Sequence, residues 1–227
     1  MLRLIFLAGL VFIVLMACSR EPETQISMAS PKTSLPANDP RPVILAFGDS
    51  LTAGHGVELP ESYPSRLQKE LDRRGLKYFV VNAGVSGDTT SGGLARIDGA
   101  LDVHPKIVIL ELGANDGLRG LPLREARQNL EEMILKSQAA GAKVVLAGMT
   151  LPLNYGPDYI RDFEAMYGEL AKKNHSILIP FFLEGVAAKA ELNQDDGIHP
   201  TARGYVIVME TVMRSIEPLL EHPRDDH

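Results

Sequence analysis

Four short segments of the chain are apolar on both faces: Val43 to Phe47, Tyr78 to Asn82, Lys106 to Leu112 and Lys143 to Met149. A weaker fifth spans Ser176 to Pro180. Continuous rather than alternating apolarity predicts strands covered on both sides, as in a parallel sheet. Between these runs the apolar positions recur at helical spacing: Tyr63, Leu67 and Leu71; Leu123, Ala126, Leu130, Met133 and Ile134; Tyr159, Phe163, Met166, Tyr167 and Leu170. The clearest stripe is the last, Tyr205, Val208, Met209, Val212, Ile216 and Leu219, with Pro200 and Thr201 near its start. Strand followed by helix, repeated, implies right-handed crossovers and a three-layer α/β sandwich forming a single domain over residues 43–220. In open sheets of this kind ligands bind beyond the carboxyl ends of the strands, so the chemistry is expected in the loops found there.

The first residues follow a different pattern. Arg3 precedes a nearly unbroken apolar run from Leu4 to Ala17, fourteen residues where a membrane-spanning helix takes about 20. A basic residue, an apolar stretch and a small residue before a cut point are the parts of a secretory signal, so residues 1–17 are set apart from the fold. Leu15, Met16, Ala17 and Cys18 resemble the lipobox of bacterial lipoproteins, although Met16 departs from the small residue usual there. That resemblance implies an acylated Cys18 at the mature N-terminus and contact with a membrane, and Ser19 after it implies the outer one. Plain secretion, with a thiol near the cut site, is the alternative. Both place the protein outside the cytoplasm. Residues 18–42 hold Pro22, Pro31, Pro36, Pro40 and Pro42 among polar and charged residues, too little apolar surface to offset their ordering entropy, and read as a disordered tether. Residues 221–227 read as a polar C-terminal tail.

Composition narrows the function classes. The net charge of −6 across 227 residues argues against binding nucleic acid or anionic membrane by overall charge. One cysteine excludes an intrachain disulfide and a cysteine-cluster metal site.

The loops after the predicted strands carry Gly48-Asp49-Ser50-Leu51, Asn82-Ala83-Gly84 and Gly113-Ala114-Asn115-Asp116-Gly117, and Asp195-Asp196-Gly197-Ile198-His199-Pro200 stands just before the last helix. Together these supply the parts for acyl transfer. A serine hydroxyl is a poor nucleophile until a base takes its proton, and imidazole suits that task near neutral pH; Ser50 and His199 fit the two roles. A carboxylate must hold the imidazole in one tautomer, and Asp196 can reach it across a glycine turn, with Asp195 the weaker candidate. The backbone amides of Ser50 and Gly84, with the side-chain amide of Asn115, are placed to stabilise the oxyanion. Other readings exist for each part. Ser50 and Asn115 also suit helix caps, and Gly84 suits a turn. Two carboxylates and one histidine fall short of a metal site, so no metal or cofactor is expected. His55, His104, His175, His222 and His227 read as surface or packing residues.

The set GDSL, an isolated glycine, GAND and DGIHP resembles the SGNH (GDSL) hydrolase superfamily, whose name lists the serine, glycine, asparagine and histidine matched by Ser50, Gly84, Asn115 and His199. The runs Gly84 to Arg96, Glu111 to Gly120, Leu151 to Gly156 and Gln194 to Pro200 are similar to its bacterial periplasmic branch of acyl-CoA thioesterases, lysophospholipases and arylesterases. The resemblance implies a flavodoxin-like five-stranded parallel sheet of order 2-1-3-4-5, a metal-free Ser-His-Asp mechanism, and an acyl groove bordered by the loop holding Asn154 and Tyr155. The expected substrate is a small-molecule or lipid acyl ester. An exported enzyme meets lysophospholipids or other lipid esters sooner than cytoplasmic coenzyme A esters. A carbohydrate O-deacetylase is the nearest enzymatic alternative, and a lipoprotein that binds lipid without turnover is the alternative outside enzymes. Ser50 lacks the second glycine of the G-x-S-x-G elbow, which separates the chain from ordinary α/β-hydrolases.

Overall fold

The computed structural model describes residues 39–221. The expected leader at 1–17, Cys18, most of the expected tether at 18–42 and all but the first residue of the expected tail at 221–227 lie outside the described residues. Five strands, β1 (Val43–Gly48), β2 (Phe79–Gly84), β3 (Ile107–Glu111), β4 (Lys143–Ala147) and β5 (Ile177–Ile179), form one parallel sheet in the order β2-β1-β3-β4-β5. Among the described residues seven α-helices connect and cover them: α1 (Ser50–Ala53), α2 (Tyr63–Arg73), α3 (Thr90–Leu101), α4 (Ala114–Leu118), α5 (Leu123–Ala139), α6 (Pro157–Lys173) and α7 (Ala202–Ile216). α2 packs on α7, while α3, α5 and α6 pack side by side, so the sheet is covered on both sides as the apolar runs require.

β1 is an interior strand, paired with β2 on one side and β3 on the other, and is buried along its whole length. Side chains such as Ile44, Leu45 and Phe47 are fully buried, and each contributes about 1.5–3 kcal/mol by leaving water. The parallel register sets Gly48 beside Gly84 on one flank and beside Glu111 on the other. Gly48 has no alternative: an added Cβ would stand 2.2 Å from Thr52 Oγ1 and 2.5 Å from both the carbonyl and the carboxylate of Glu111. Because β2 and β3 flank β1 on opposite sides, the crossovers diverge there and leave a crevice at the carboxyl ends of β1 and β3. Ser50 at the start of α1 and Asn115 in the first turn of α4 stand at that crevice.

The structure departs from the sequence pattern in a few places. α3 left no apolar stripe in the sequence because three of its twelve residues are glycines, Gly92, Gly93 and Gly99. Gly93 explains why: a Cβ there would stand 2.3 Å from Leu112 Cδ1, so the helix backbone itself packs on the residues below. β4 stops at Ala147 rather than Met149, and the Gly148 amide bonds to the Ile179 carbonyl at 2.8 Å. α7 ends at Ile216, and the apolar stripe continues to Leu219 through a 3₁₀ turn.

Candidate active site

Ser50 opens α1 at the end of β1, where Asp49 caps the helix by accepting the Leu51 amide at 3.0 Å. The helix is a single turn, closed by left-handed Gly54, whose amide and that of His55 both donate to the Ser50 carbonyl. His199 comes from the other end of the domain, in the loop before α7. Its Nε2 lies 2.9 Å from Ser50 Oγ, and its Nδ1 lies 2.6 Å from Asp196 Oδ2. The other oxygen of Asp196 accepts the amides of Ile198 and His199, both at 3.0 Å, so the carboxylate folds its own loop and orients the ring together. Partial burial alone would raise the Asp196 pKa, but the hydrogen bonds from the His199 amide and ring and from Ile198 outweigh it and hold the group at about 2. An ionised carboxylate accepts only, so the ring proton sits on Nδ1 and Nε2 is left to accept from the serine. Asp195 is exposed and makes no side-chain hydrogen bond among the described residues.

A cavity of about 470 Å³ opens beside Ser50 and His199. Leu118, Met149, Leu151, Phe181, Leu183 and Ile198 give it mainly apolar walls, and Asn115, Ser86 and Gly87 stand among its polar lining. Asn115 donates one amide hydrogen to Asp49 Oδ2 at 3.0 Å, which leaves the other for the cavity. The amides of Ser50 and Gly87 donate to no protein atom among the described residues.

The sequence profile of the GDSL-like Lipase/Acylhydrolase family matches residues 46–207. The chain belongs to the GDSL-like lipase/acylhydrolase family. Esterase TesA of Pseudomonas aeruginosa is 45% identical over 178 residues, 78% of this chain and 89% of that protein. Thioesterase 1/protease 1/lysophospholipase L1 of Escherichia coli K12 is 39% identical over 180 residues, 79% of this chain and 85% of its own. Among solved structures, the psychrotrophic esterase EstA from Pseudoalteromonas sp., inhibited by monoethylphosphonate, superposes with a TM-score of 0.75. It is 35% identical, and the match covers 78% of this chain and 97% of that one.

Within this GDSL-family site three expected positions move. Gly84 does not line the cavity: its amide donates to Asn82 Oδ1 at 3.0 Å, and an added Cβ would stand 2.2 Å from the Ala53 amide nitrogen. Gly84 therefore lets β2 pass close to α1. The glycine of that loop that reaches the cavity is Gly87, three residues on, at φ +80°. Asn154 and Tyr155 are displaced as well. The cavity wall is Met149 to Pro152, after which the chain turns away in a 3₁₀ turn over Leu153–Tyr155 and leaves Asn154 exposed. Tyr155 instead donates its hydroxyl to the Leu118 carbonyl at 2.7 Å and ties two cavity loops together. His55 is exposed as expected, yet it lines the cavity with its ring 4.5 Å from that of His199.

Several supporting residues had no sequence signal of their own. Arg96 donates to the carbonyls of Gly48 and Ala83 at 2.9 and 2.7 Å and to Asp88 at 2.7 Å, and lies 3.9 Å from the Phe47 ring centroid. One guanidinium thus joins the ends of β1 and β2 to the loop that holds Gly87. Buried Asp116 accepts the amide and hydroxyl of Thr90, at 2.8 and 2.6 Å, and fixes the loop that carries Asn115 against the start of α3.

Beneath the serine two carboxyl groups, Asp49 and Glu111, are almost wholly buried. Glu111 Oε2 accepts the Thr52 hydroxyl at 2.8 Å and the Asp49 amide at 3.3 Å. Burial pushes Asp49 up to about 6 against the pull of the Leu51 and Asn115 hydrogen bonds. Burial and then the neighbouring Asp49 push Glu111 well above the usual carboxylate range, since ionising it sets a second negative charge beside the first in a site closed to water. Both groups hold protons more tightly folded than unfolded. The stability they contribute is full below about pH 4, where the unfolded carboxyls begin to ionise, and falls as pH rises from there until the folded values are passed, near 6 for Asp49. Glu111→Gln keeps an acceptor for Thr52 and cannot ionise, so its melting temperature should fall less than that of the wild type between pH 5 and pH 8. Glu111→Ala strands two buried donors and should cost about 2–4 kcal/mol at either pH. Thermal unfolding at the two pH values checks both outcomes. Parallel pH dependence in Glu111→Gln and the wild type would remove Glu111 from this account.

Proposed function

We propose that this protein is a serine esterase that hydrolyses acyl esters and thioesters, with lysophospholipids and related lipid esters as the natural substrate class. The unbroken hydrogen-bond path from Ser50 through His199 to Asp196, set at the mouth of an apolar cavity, carries the reading. In the first half-reaction His199 Nε2 takes the Ser50 proton as Oγ bonds to the acyl carbon. The carbonyl oxygen, now negative, is held by the amides of Ser50 and Gly87 and by Asn115 Nδ2. Collapse expels the alcohol or thiol, which receives the proton from His199 and leaves an acyl-Ser50. Water, deprotonated by the same imidazole, then releases the acid and restores the serine. Asp196 stabilises the imidazolium in both halves without taking its proton.

The apolar walls favour an acyl chain over an acetyl group, which would leave most of about 470 Å³ unfilled. An ester series from acetyl upward therefore tests the reading. Each methylene buried in the cavity contributes about 0.8 kcal/mol, so kcat/KM should rise roughly fourfold per methylene until the cavity is full. A maximum at acetyl would instead favour a carbohydrate O-deacetylase. Failure of a serine-reactive phosphonate to label the protein would leave a lipid-binding role without turnover. The leader at 1–17 and the lipobox-like Leu15 to Cys18 support export to the periplasm and attachment to the outer membrane through an acylated Cys18. No helix among the described residues is long and apolar enough to cross a membrane. Recovery of the mature protein with no mass added at its N-terminus would sink the anchoring.

A further inference from the structure

Ser50 and His199 lie 149 residues apart on separate loops, yet their hydrogen bond is 2.9 Å long. The chemistry proposed above needs that distance held closely, since a misplacement of about 1 Å can cost about 10²-fold in rate. Among the described residues, two hydrogen bonds join segment 49–62 to segment 193–201. One is the Ser50–His199 bond itself; the other runs from Gln194 Nε2 to the His55 carbonyl at 2.8 Å. The same nitrogen also donates to the Pro200 carbonyl at 2.9 Å. Its two hydrogens thus go one to each side of the gap, and both of its donor sites are used.

Each end of this link continues into one of the two reacting residues. On the serine side, the His55 amide donates to the Ser50 carbonyl at 3.0 Å. On the histidine side, the Gln194 amide donates to the His199 carbonyl at 2.8 Å, and Asn193 anchors the loop by donating to the carbonyls of Val186 and Lys189, each at 2.8 Å. Gly56 makes room for the link. It sits at φ +74°, and a Cβ there would stand 2.0 Å from Gln194 Oε1. Gln194 does not line the cavity.

We propose that Gln194 is a positioning residue whose side-chain amide sets the separation of Ser50 and His199 by stapling the two loops together, without touching a reacting atom. The proposal rests on the Ser50–His199 pair acting as nucleophile and base. Gln194→Met keeps the volume and removes both donors. It should lower kcat about 10- to 100-fold and slow phosphonate labelling to match, with KM within about twofold and a melting temperature within a few degrees of wild type. Gln194→Glu sets an acceptor-only group against two carbonyls and should lose more. Gly56→Ala should reproduce the loss by displacing the amide, and combining it with Gln194→Met should add little, because both changes break one link. Crystals of Gln194→Met should show the Ser50 Oγ to His199 Nε2 distance lengthened beyond hydrogen-bonding range. An unchanged 2.9 Å distance, an unchanged kcat, or a loss accounted for by a smaller folded fraction would each overturn the proposal. A wild-type chain inert toward every ester would defeat the esterase reading instead, and the distance in the variant crystals would still decide the staple.

Discussion

Ser50→Ala should remove phosphonate labelling and lower kcat by about 10⁶-fold while the protein folds normally. The size of the effect follows from the chemistry. Without Oγ no acyl-enzyme forms, and water must attack directly, helped only by binding and by the amides around the cavity, which alone preserve a small residue of catalysis. The fold should hardly register the change. Ser50 Oγ makes one hydrogen bond, to His199, at a partly exposed position, and losing it costs about 1 kcal/mol. Steady-state turnover, mass-resolved labelling and thermal unfolding measured on one preparation separate the two effects. Turnover retained above about one part in a thousand would take the nucleophile's role away from Ser50.

Asp196→Asn should lower kcat about 10⁴-fold through a change of tautomer. The two oxygens of Asp196 have separate tasks: Oδ1 accepts the amides of Ile198 and His199, and Oδ2 faces His199 Nδ1. In the variant the two amides keep the asparagine oxygen on their side, so its NH₂ is turned toward Nδ1. Two donors cannot face each other, so the ring proton moves to Nε2, and the imidazole can no longer accept from Ser50. Because the aspartate is held at about 2, acidification to pH 4 or 5 does not neutralise it and should not reproduce the variant. Equal losses in Asp195→Asn and Asp196→Asn would contradict the assignment, since Asp195 is exposed and has no side-chain hydrogen bond among the described residues.

The strands were legible because parallel strands buried on both faces must be continuously apolar, and β1 with Val43, Ile44, Leu45 and Phe47 shows that demand in its plainest form. Ser50, His199 and Asp196, which the structure joins in one hydrogen-bonded row, were legible because few residue types suit acyl transfer and these stand in loops at the ends of predicted elements. α3 was hidden because its packing surface is backbone rather than side chain, and hydrophobic periodicity does not register glycine. The sequence pointed to Gly84 where the structure sets Gly87 at the cavity for a related reason. A glycine says that the chain must turn or come close to something, but not what it approaches.

Local periodicity in the chain was enough to set out the five strands and the helices α2, α5, α6 and α7 in order, and the reactivity of single side chains was enough to single out Ser50, Asn115, Asp196 and His199. Which backbone donors line the cavity follows from packing between distant segments. The Gly84 amide is already satisfied by Asn82, so Gly87 reaches the cavity in its place. Tertiary structure also decided that Asn154 and Tyr155 stand off the wall, that Glu111 and Asp49 share a buried site beneath the serine, and that Gln194 bridges to His55 across 139 residues. These are matters of distance between groups far apart in the chain. A hydrogen bond is made or missed within a few tenths of an ångström, and only the packed sheet and helices bring such groups to that range.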